Sequence, residues 1–357
     1  MSNGPTIGQD VVMTDGGLPS DGAGKNLKRK FNSNNPPGKG PPPKKLDLKP
    51  PPPPPPPVSG VGVMDVGQGS CILAYDQAGN PLFYYDMGYP LVFYRSSAPP
   101  TLRRGLGNYL GPCLFQNPRI YLSHWDYDHY RLAYTAHLEA AHHGVDVVDL
   151  HWIFPVQNVG PVAGNFRALF TNAHPLVAAT QDWVDGHGNI ICTILQCVGG
   201  DINNSGLAMV IPTRLPSADL ADHLLVFTGD ASFGNVPLTA PMLTNTTGIT
   251  AVHHGADTHG AAANLPNPPV PYNVTGRIAY SYGVNPVTNR HPYGHPRMAA
   301  ILGYTLAGWT MRACTAESGF YANDGLRGNI RMALFIAFQC PPNSCAFQAF
   351  PPAKRLD

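Results

Sequence analysis

"SHWDYDHY", residues 123–130, gathers His124, Asp126, Asp128 and His129 into one short stretch. It follows directly on "RIYL", residues 119–122, which has the apolar character of a strand. Imidazole and carboxylate donors suit zinc, manganese or iron. A turn so dense in them can present ligands in two directions. That fits two ions about 3.5–4 Å apart, the separation used to clamp the attacking and leaving oxygens of a displacement. The competing reading is a loop that carries several His and Asp residues to no purpose, so the rest of the chain has to decide.

The same pattern recurs. "HLLVFTGD", residues 223–230, and "GITAVHHG", residues 248–255, each run from a β-branched apolar segment into Asp230 or into His253 and His254. Strand ends deliver side chains to one edge of a sheet, where loops converge on a site. Three such clusters are harder to assign to chance than one. Further strands are predicted over 61–76 (two, around the glycine turn "DVGQGS"), 82–88, 151–156, 191–198, 206–212, 277–283 and 329–340, and helices over 137–145 and 296–308.

The charge is unevenly spread. Of 23 basic and 22 acidic residues, eight and four fall within residues 1–58, so the body carries more acid than base. Residues 1–58 are rich in Gly, Pro, Ser, Asn and Lys and end in a proline run. Such a segment cannot bury enough apolar surface to offset ordering entropy, and is predicted to be a disordered tail. It could serve as a spacer or as the ligand of a protein partner with an aromatic groove. Its basic clusters, "KRK" at 28–30 and "KK" at 44–45, resemble a nuclear-import signal. Seven scattered cysteines without a CxxC pair make a cysteine zinc site improbable and point to a reduced, cytoplasmic setting. No apolar run reaches the roughly 18 residues of a membrane span, so no membrane partner is expected.

Taken in chain order, the motifs carry a resemblance. "SHWDYDH" resembles the HxHxDH signature of the metallo-β-lactamase superfamily, with Asp126 in place of the second histidine. "TGD" at 228–230 and "HHG" at 253–255 resemble its later ligand motifs. The hydrolase domain of the competence DNA-uptake (ComEC-like) proteins is more similar still. "DVGQGS" (Asp65–Ser70), HxDxDH, Asn203–Ser205, "HHG", "YGHP" (Tyr293–Pro296) and "RACTAESG" (Arg312–Gly319) follow in that branch's order. The resemblance implies an α/β fold, the αββα sandwich, over residues 59–350. It implies one or two divalent ions, Zn or Mn, with His124 and Asp126 at a first metal, Asp128, His129 and His254 at a second, and Asp230 bridging. His295 matches a substrate-side histidine that stabilises a phosphoryl oxygen or protonates the leaving group. His253 is then an outer or substrate-side residue. Asp65 and Asp86 are expected behind the ligands or in their turns. The third histidine of the first metal falls at Asn203–Ser205, where Asn204 and its neighbours are weak ligands, so the first site is expected to be the weaker.

The implied activity is hydrolysis through a metal-bound hydroxide, with Asp128 orienting it. The branch favours phosphodiesters, hence a nuclease or nucleotide phosphodiesterase acting on DNA, RNA or nucleotides. The alternative from another class is a binding or scaffold module that keeps the fold with weak or no catalysis. The near-complete ligand set favours the first; the missing histidine and the proline-rich tail favour the second.

Overall fold

The computed structural model describes residues 58–76, 78–90, 110, 113–186, 188–213, 223–256, 265–268, 276–283, 295–315, 330–333 and 354–355. All lie in one compact unit, residues 52–357. The expected tail falls outside the described residues except for Val58, which is buried in the core. The "YG" of "YGHP", residues 316–329, Cys340 and Cys345 also fall outside.

The apolar segments that end in polar clusters are strands. The first sheet is built from β1 (Gly60–Val63), β2 (Cys71–Tyr75), β3 (Pro81–Met87), β4 (Arg119–Tyr121), β5 (Trp152–Pro155) and β6 (Ala173–Leu176). The second is built from β7 (Thr180–Val184), β8 (Ile190–Gln196), β9 (Leu207–Thr213), β10 (His223–Phe227), β11 (Thr246–Thr250), β12 (Arg277–Tyr280) and β13 (Met311–Cys314). β14 (Ile330–Ala333) returns to the first sheet beside β1, with the short β15 (Lys354–Arg355) outside it. The strand orders are β15-β14-β1-β2-β3-β4-β5-β6 and β13-β12-β11-β10-β9-β8-β7.

In each sheet an antiparallel part passes into a parallel one. β3, β4, β5 and β6 run parallel, as do β10, β11, β12 and β13. Ligands in open α/β sheets lodge outside the carboxyl ends of such strands. The clusters begun by Ser123, Thr228 and His253 stand at the ends of β4, β10 and β11.

Side-chain alternation with period two sorts the core into layers. Phe83, Tyr85 and Tyr121 point from the first sheet to meet Leu207, Met209, Leu225 and Phe227 of the second. The Tyr85 hydroxyl crosses this layer and donates to the Leu207 carbonyl at 2.6 Å. Tyr84, Ile120 and Trp152 point the other way, against α1 (Tyr127–Leu138) and α2 (Pro161–Arg167). On the far face of the second sheet, Val226, Ile249 and Ile278 pack on Ile301 and Tyr304 of α4 (Met298–Leu306), while α3 (Ala240–Asn245) leads into β11. The layers are therefore helix, sheet, sheet, helix, the expected αββα sandwich.

One expectation shifts. Helix was predicted from residue 137, but α1 begins at Tyr127, inside the ligand motif, and a short turn of helix follows at Ala140–His143. Asp128 and His129 thus sit in the first turn of a twelve-residue helix rather than in a free loop.

The glycines of "DVGQGS" and "DMG" have a packing role. The amide of Ser70 donates to the Asp128 carbonyl at 3.0 Å. A Cβ at Gly88 would run into that same carbonyl, and one at Gly69 would stand 3.1 Å from it. The two turns therefore clasp the start of α1 by close backbone approach, as expected for turn glycines rather than phosphate binders. Gly88→Ala should lower stability by about 2 kcal/mol or more, whereas Gly164→Ala inside α2, where a Cβ meets nothing closer than 3.7 Å, should raise it by about 0.5–1 kcal/mol. Chemical denaturation of both variants checks the contrast; equal effects would contradict the clasp.

Candidate metal centre

Asp86 ends β3, is fully buried, and adopts a left-handed backbone with φ 62°. Its Oδ1 accepts from the Ser123 amide at 2.7 Å, and its Oδ2 accepts from the Ser123 hydroxyl at 2.9 Å. The same Oδ2 lies 2.8 Å from Nδ1 of His129. Ser123 has one hydroxyl proton, and Asp86 takes it. The Ser123 oxygen must then accept from Nδ1 of His124, 3.0 Å away. Nδ1 of His254 donates to the Ser281 carbonyl at 2.5 Å. Each of the three imidazoles thus has its proton on Nδ1 and turns a lone pair on Nε2 inward, the tautomer that ligates metal.

These Nε2 atoms are buried and have no hydrogen-bond partner. They face carboxylates instead. His124 Nε2 stands 3.4 Å from Asp126 Oδ2 and 3.6 Å from Asp230 Oδ2. His129 Nε2 stands 3.2 Å from Asp230 Oδ1, and His254 Nε2 is 3.5 Å from Asp128 Oδ2. Ligand bonds of about 2.0–2.2 Å at tetrahedral angles set donor-to-donor edges of about 3.3–3.6 Å. The observed spacings match those edges. Two compact donor groups result: His124, His129 and Asp230, and Asp128, His129 and His254. The donor set and its spacing fit a divalent ion.

The field in the cluster points the same way. Burial opposes charging of His129, yet Asp230 and Asp86 outweigh it and raise its pKa well above the ordinary histidine value. Burial likewise opposes ionisation of Asp128, but the imidazoles of His254 and His129 beside it bring its carboxyl down to about 2. Asp230, opposed by burial and favoured by His129, His253 and His124, lies well below the usual carboxylate range. The cluster binds positive charge strongly, as proton or as cation.

The remaining expected residues divide. His253 Nε2 lies 3.5 Å from Asp230 Oδ2, and its ring stacks on that of His295 at 5.5 Å. Both therefore stand on the approach to Asp230, outside the two compact groups. Asp65 accepts from the Gly67 amide at 3.3 Å, within its own turn. Asn204 has its side chain engaged: Nδ2 donates to Asp201, while Oδ1 accepts from the Ser232 amide and from Asn235. It ties the loop before β9 to the loop carrying Asp230. Its side chain is thus committed to a tether rather than free to act as the weak ligand expected there. Cys71 is fully buried and its thiol pKa is pushed up, consistent with packing.

Ser123 and Ser281 were not singled out from the sequence, although both are essential to the tautomers. The signal for Ser123 was its place at the head of the motif; Ser281 carried none, because it acts through its backbone carbonyl. Three of the four non-glycine residues with positive φ among the described residues, Asp86, His253 and His254, belong to this site. Each costs about 1–3 kcal/mol, which the surrounding bonds must hold in place.

The fold is the metallo-β-lactamase fold. Two facing sheets, helices outside, and His/Asp clusters at the ends of β4, β10 and β11 define it here. No family model matches the chain, and no curated protein does. Among solved structures, the metallo-β-lactamase fold protein YhfI from Bacillus subtilis is similar at 16% identity, covering 54% of this chain and 71% of that one, with a TM-score of 0.33. Zn(2+)-bound PqqB from Methylobacterium extorquens is similar at 10% identity, covering 76% and 99%, with a TM-score of 0.37. The assignment rests on the layers and the site of this chain, not on these likenesses. Among the described residues, no helix is long and apolar enough to cross a membrane.

Asp86→Asn keeps the shape of the residue behind His129 but removes its charge. It should weaken Zn2+ or Mn2+ affinity by about 10–100-fold with the fold intact. Metal titration followed by calorimetry, beside circular dichroism, checks this; unchanged affinity would show that Asp86 only shapes its turn.

Proposed function

We propose that the chain is a metal-dependent hydrolase of phosphodiesters, similar in its chemistry to the ComEC-like branch. The observation that supports this most is the convergence of three inward Nε2 lone pairs with the carboxylates of Asp128 and Asp230 at ligand spacing. A divalent ion bound there supplies Lewis acidity and makes water ionisable near neutral pH.

The residues divide the remaining work. Asp128 is 22% exposed at its side chain and stays ionised, so its open oxygen can accept a hydrogen bond from water and orient it. Asp230, almost fully buried between His129 and His124, holds the two donor groups at a fixed separation. His295, half-buried beside His253, has its pKa lowered to about 4, first by burial and then by any charge on His254 and His253 and by the Arg297 guanidinium. It is neutral at pH 7. Of its two expected roles, a neutral N–H donating to a phosphoryl oxygen fits better than an imidazolium protonating the leaving group. Nucleic acid and nucleotides are both substrates of this chemistry. The slight acid excess of the body favours a small nucleotide, since tight binding to long nucleic acid needs many Lys and Arg contacts.

We take Asp128, His129 and His254 with Asp230 as the stronger donor group; the other shares His129 and Asp230 and adds of its own only His124 and the more exposed Asp126. Asp128→Ala should abolish both bound metal and turnover of a chromogenic phosphodiester, while His124→Ala lowers the rate but keeps about one ion per chain. Elemental analysis beside a hydrolysis panel with Mn2+ and Zn2+ decides it. Loss of all metal in His124→Ala, with one ion kept in Asp128→Ala, would reverse the two sites. A wild-type chain that binds metal but hydrolyses no phosphodiester would leave the fold as a binding module.

A further inference from the structure

Gln157 stands just past the end of β5, half-buried, and reaches the turn between His124 and Asp126. Its Oε1 accepts from the Trp125 amide at 3.3 Å. Its Nε2 donates to the Ile202 carbonyl at 2.6 Å and to the Ser205 hydroxyl at 2.9 Å. A primary amide carries an acceptor and two donors on one planar group, and all three are used here to join two segments of chain. The loop on the far side is a fixed anchor. Asn204 ties it to Ser232 and Asn235, and the Gln196 amide donates to the Ser205 carbonyl at 2.6 Å. Beyond Ser205 the chain lies directly on the ligand turn. The Leu207 amide donates to the Ser123 carbonyl at 2.7 Å, and a Cβ at Gly206 would stand 3.2 Å from that of His124. At the other end of the turn the Asp126 carbonyl accepts from the His129 amide at 3.0 Å. Gln157 holds the peptide in between, the one that joins His124 to Trp125.

We infer that Gln157 is a positioning residue for the weaker donor group: by pinning the His124–Asp126 turn to the loop before β9, it sets how well that group binds a second divalent ion. This rests on the reading of two donor groups above and extends it to a side chain outside the ligand set. His124 and Asp126 are the ligands that only the weaker group has of its own. Asp128 and His129 are held instead by α1 and the glycine turns that clasp it, and His254 by the Ser281 carbonyl. The stronger group is therefore independent of Gln157. Asp126 depends on the turn most. Its side chain is 42% exposed and makes no capping bond at the start of α1, so its place is set by its backbone. On an unpinned backbone it would lose more conformational entropy on ligation, and affinity would fall.

The test titrates wild type, Gln157→Met, Gln157→Asn and Gln196→Met as full chains with Mn2+ by calorimetry, beside circular dichroism. Methionine keeps the length of Gln157 without its hydrogen bonds, and asparagine keeps the amide but falls one methylene short of its partners. Both should weaken the second, weaker binding step by about tenfold and leave the first within about twofold. Gln196→Met loosens the same loop without releasing the Trp125 amide, and should change neither step by more than about threefold. Electron spin resonance at two equivalents of Mn2+ reads the same site. Wild type should show the coupled signal of paired ions, and the Gln157 variants more of the free aqueous signal. An equal fall in both steps, a loss in Gln196→Met as large as in Gln157→Met, or no loss overturns the inference, as does a wild-type chain that binds a single ion. Hydrolysis of bis(p-nitrophenyl) phosphate is followed in parallel. A wild type that binds two ions and shows the contrast between the variants, yet turns over nothing, sinks the hydrolase reading and supports the positioning role.

Discussion

The Asp86 carboxylate is the point on which the site depends. It is fully buried at the end of β3, where an unpaired charge would cost several kcal/mol. Its oxygens are satisfied by the Ser123 amide, the Ser123 hydroxyl and His129. Because β3 and β4 are parallel neighbours, this one side chain stitches the ends of both strands. It also decides where protons sit. By taking the Ser123 proton it forces His124 to donate from Nδ1, and by facing His129 Nδ1 it does the same there. Two ligand tautomers follow from one carboxylate.

Electrostatics explains why the arrangement calls for a cation. Asp126, Asp128 and Asp230 face three imidazoles within a few ångströms, with Asp86 behind. The carboxylates overcome burial to favour a proton on His129. A divalent ion satisfies the same field with fixed directions and leaves the imidazoles neutral. The strained backbones of His253 and His254, φ 47° and 56°, fit this account, because they turn two adjacent imidazoles to different carboxylates, His253 to Asp230 and His254 to Asp128.

Much of this was legible in the sequence, and the exceptions have physical causes. Apolar runs that stop at His or Asp are a local signal, so β4, β10 and β11 and their ligand clusters could be read directly. β6 and β7 could not. They are largely exposed edge strands, Ala173–Leu176 and Thr180–Val184, whose residues carry no apolar alternation. The start of α1 was misplaced because His124 to His129 reads as a loop, and only the clasp of the two glycine turns on the Asp128 carbonyl shows why helix begins there. Asn204 was expected near the site as a weak ligand, but its tethering role was not legible. Its hydrogen bonds to Ser232 and Asn235 span about 30 residues and have no pattern in the chain.

X-ray absorption at the metal edge of the Zn2+-loaded chain tests the central claim most directly. Ligation by Nε2 of His124, His129 and His254 with the aspartates predicts a nitrogen and oxygen shell at about 2.0–2.1 Å, outer scattering from two to three imidazoles, and no sulfur shell near 2.3 Å. A spectrum of oxygen alone without imidazole scattering, or the absence of stoichiometric metal, would contradict it.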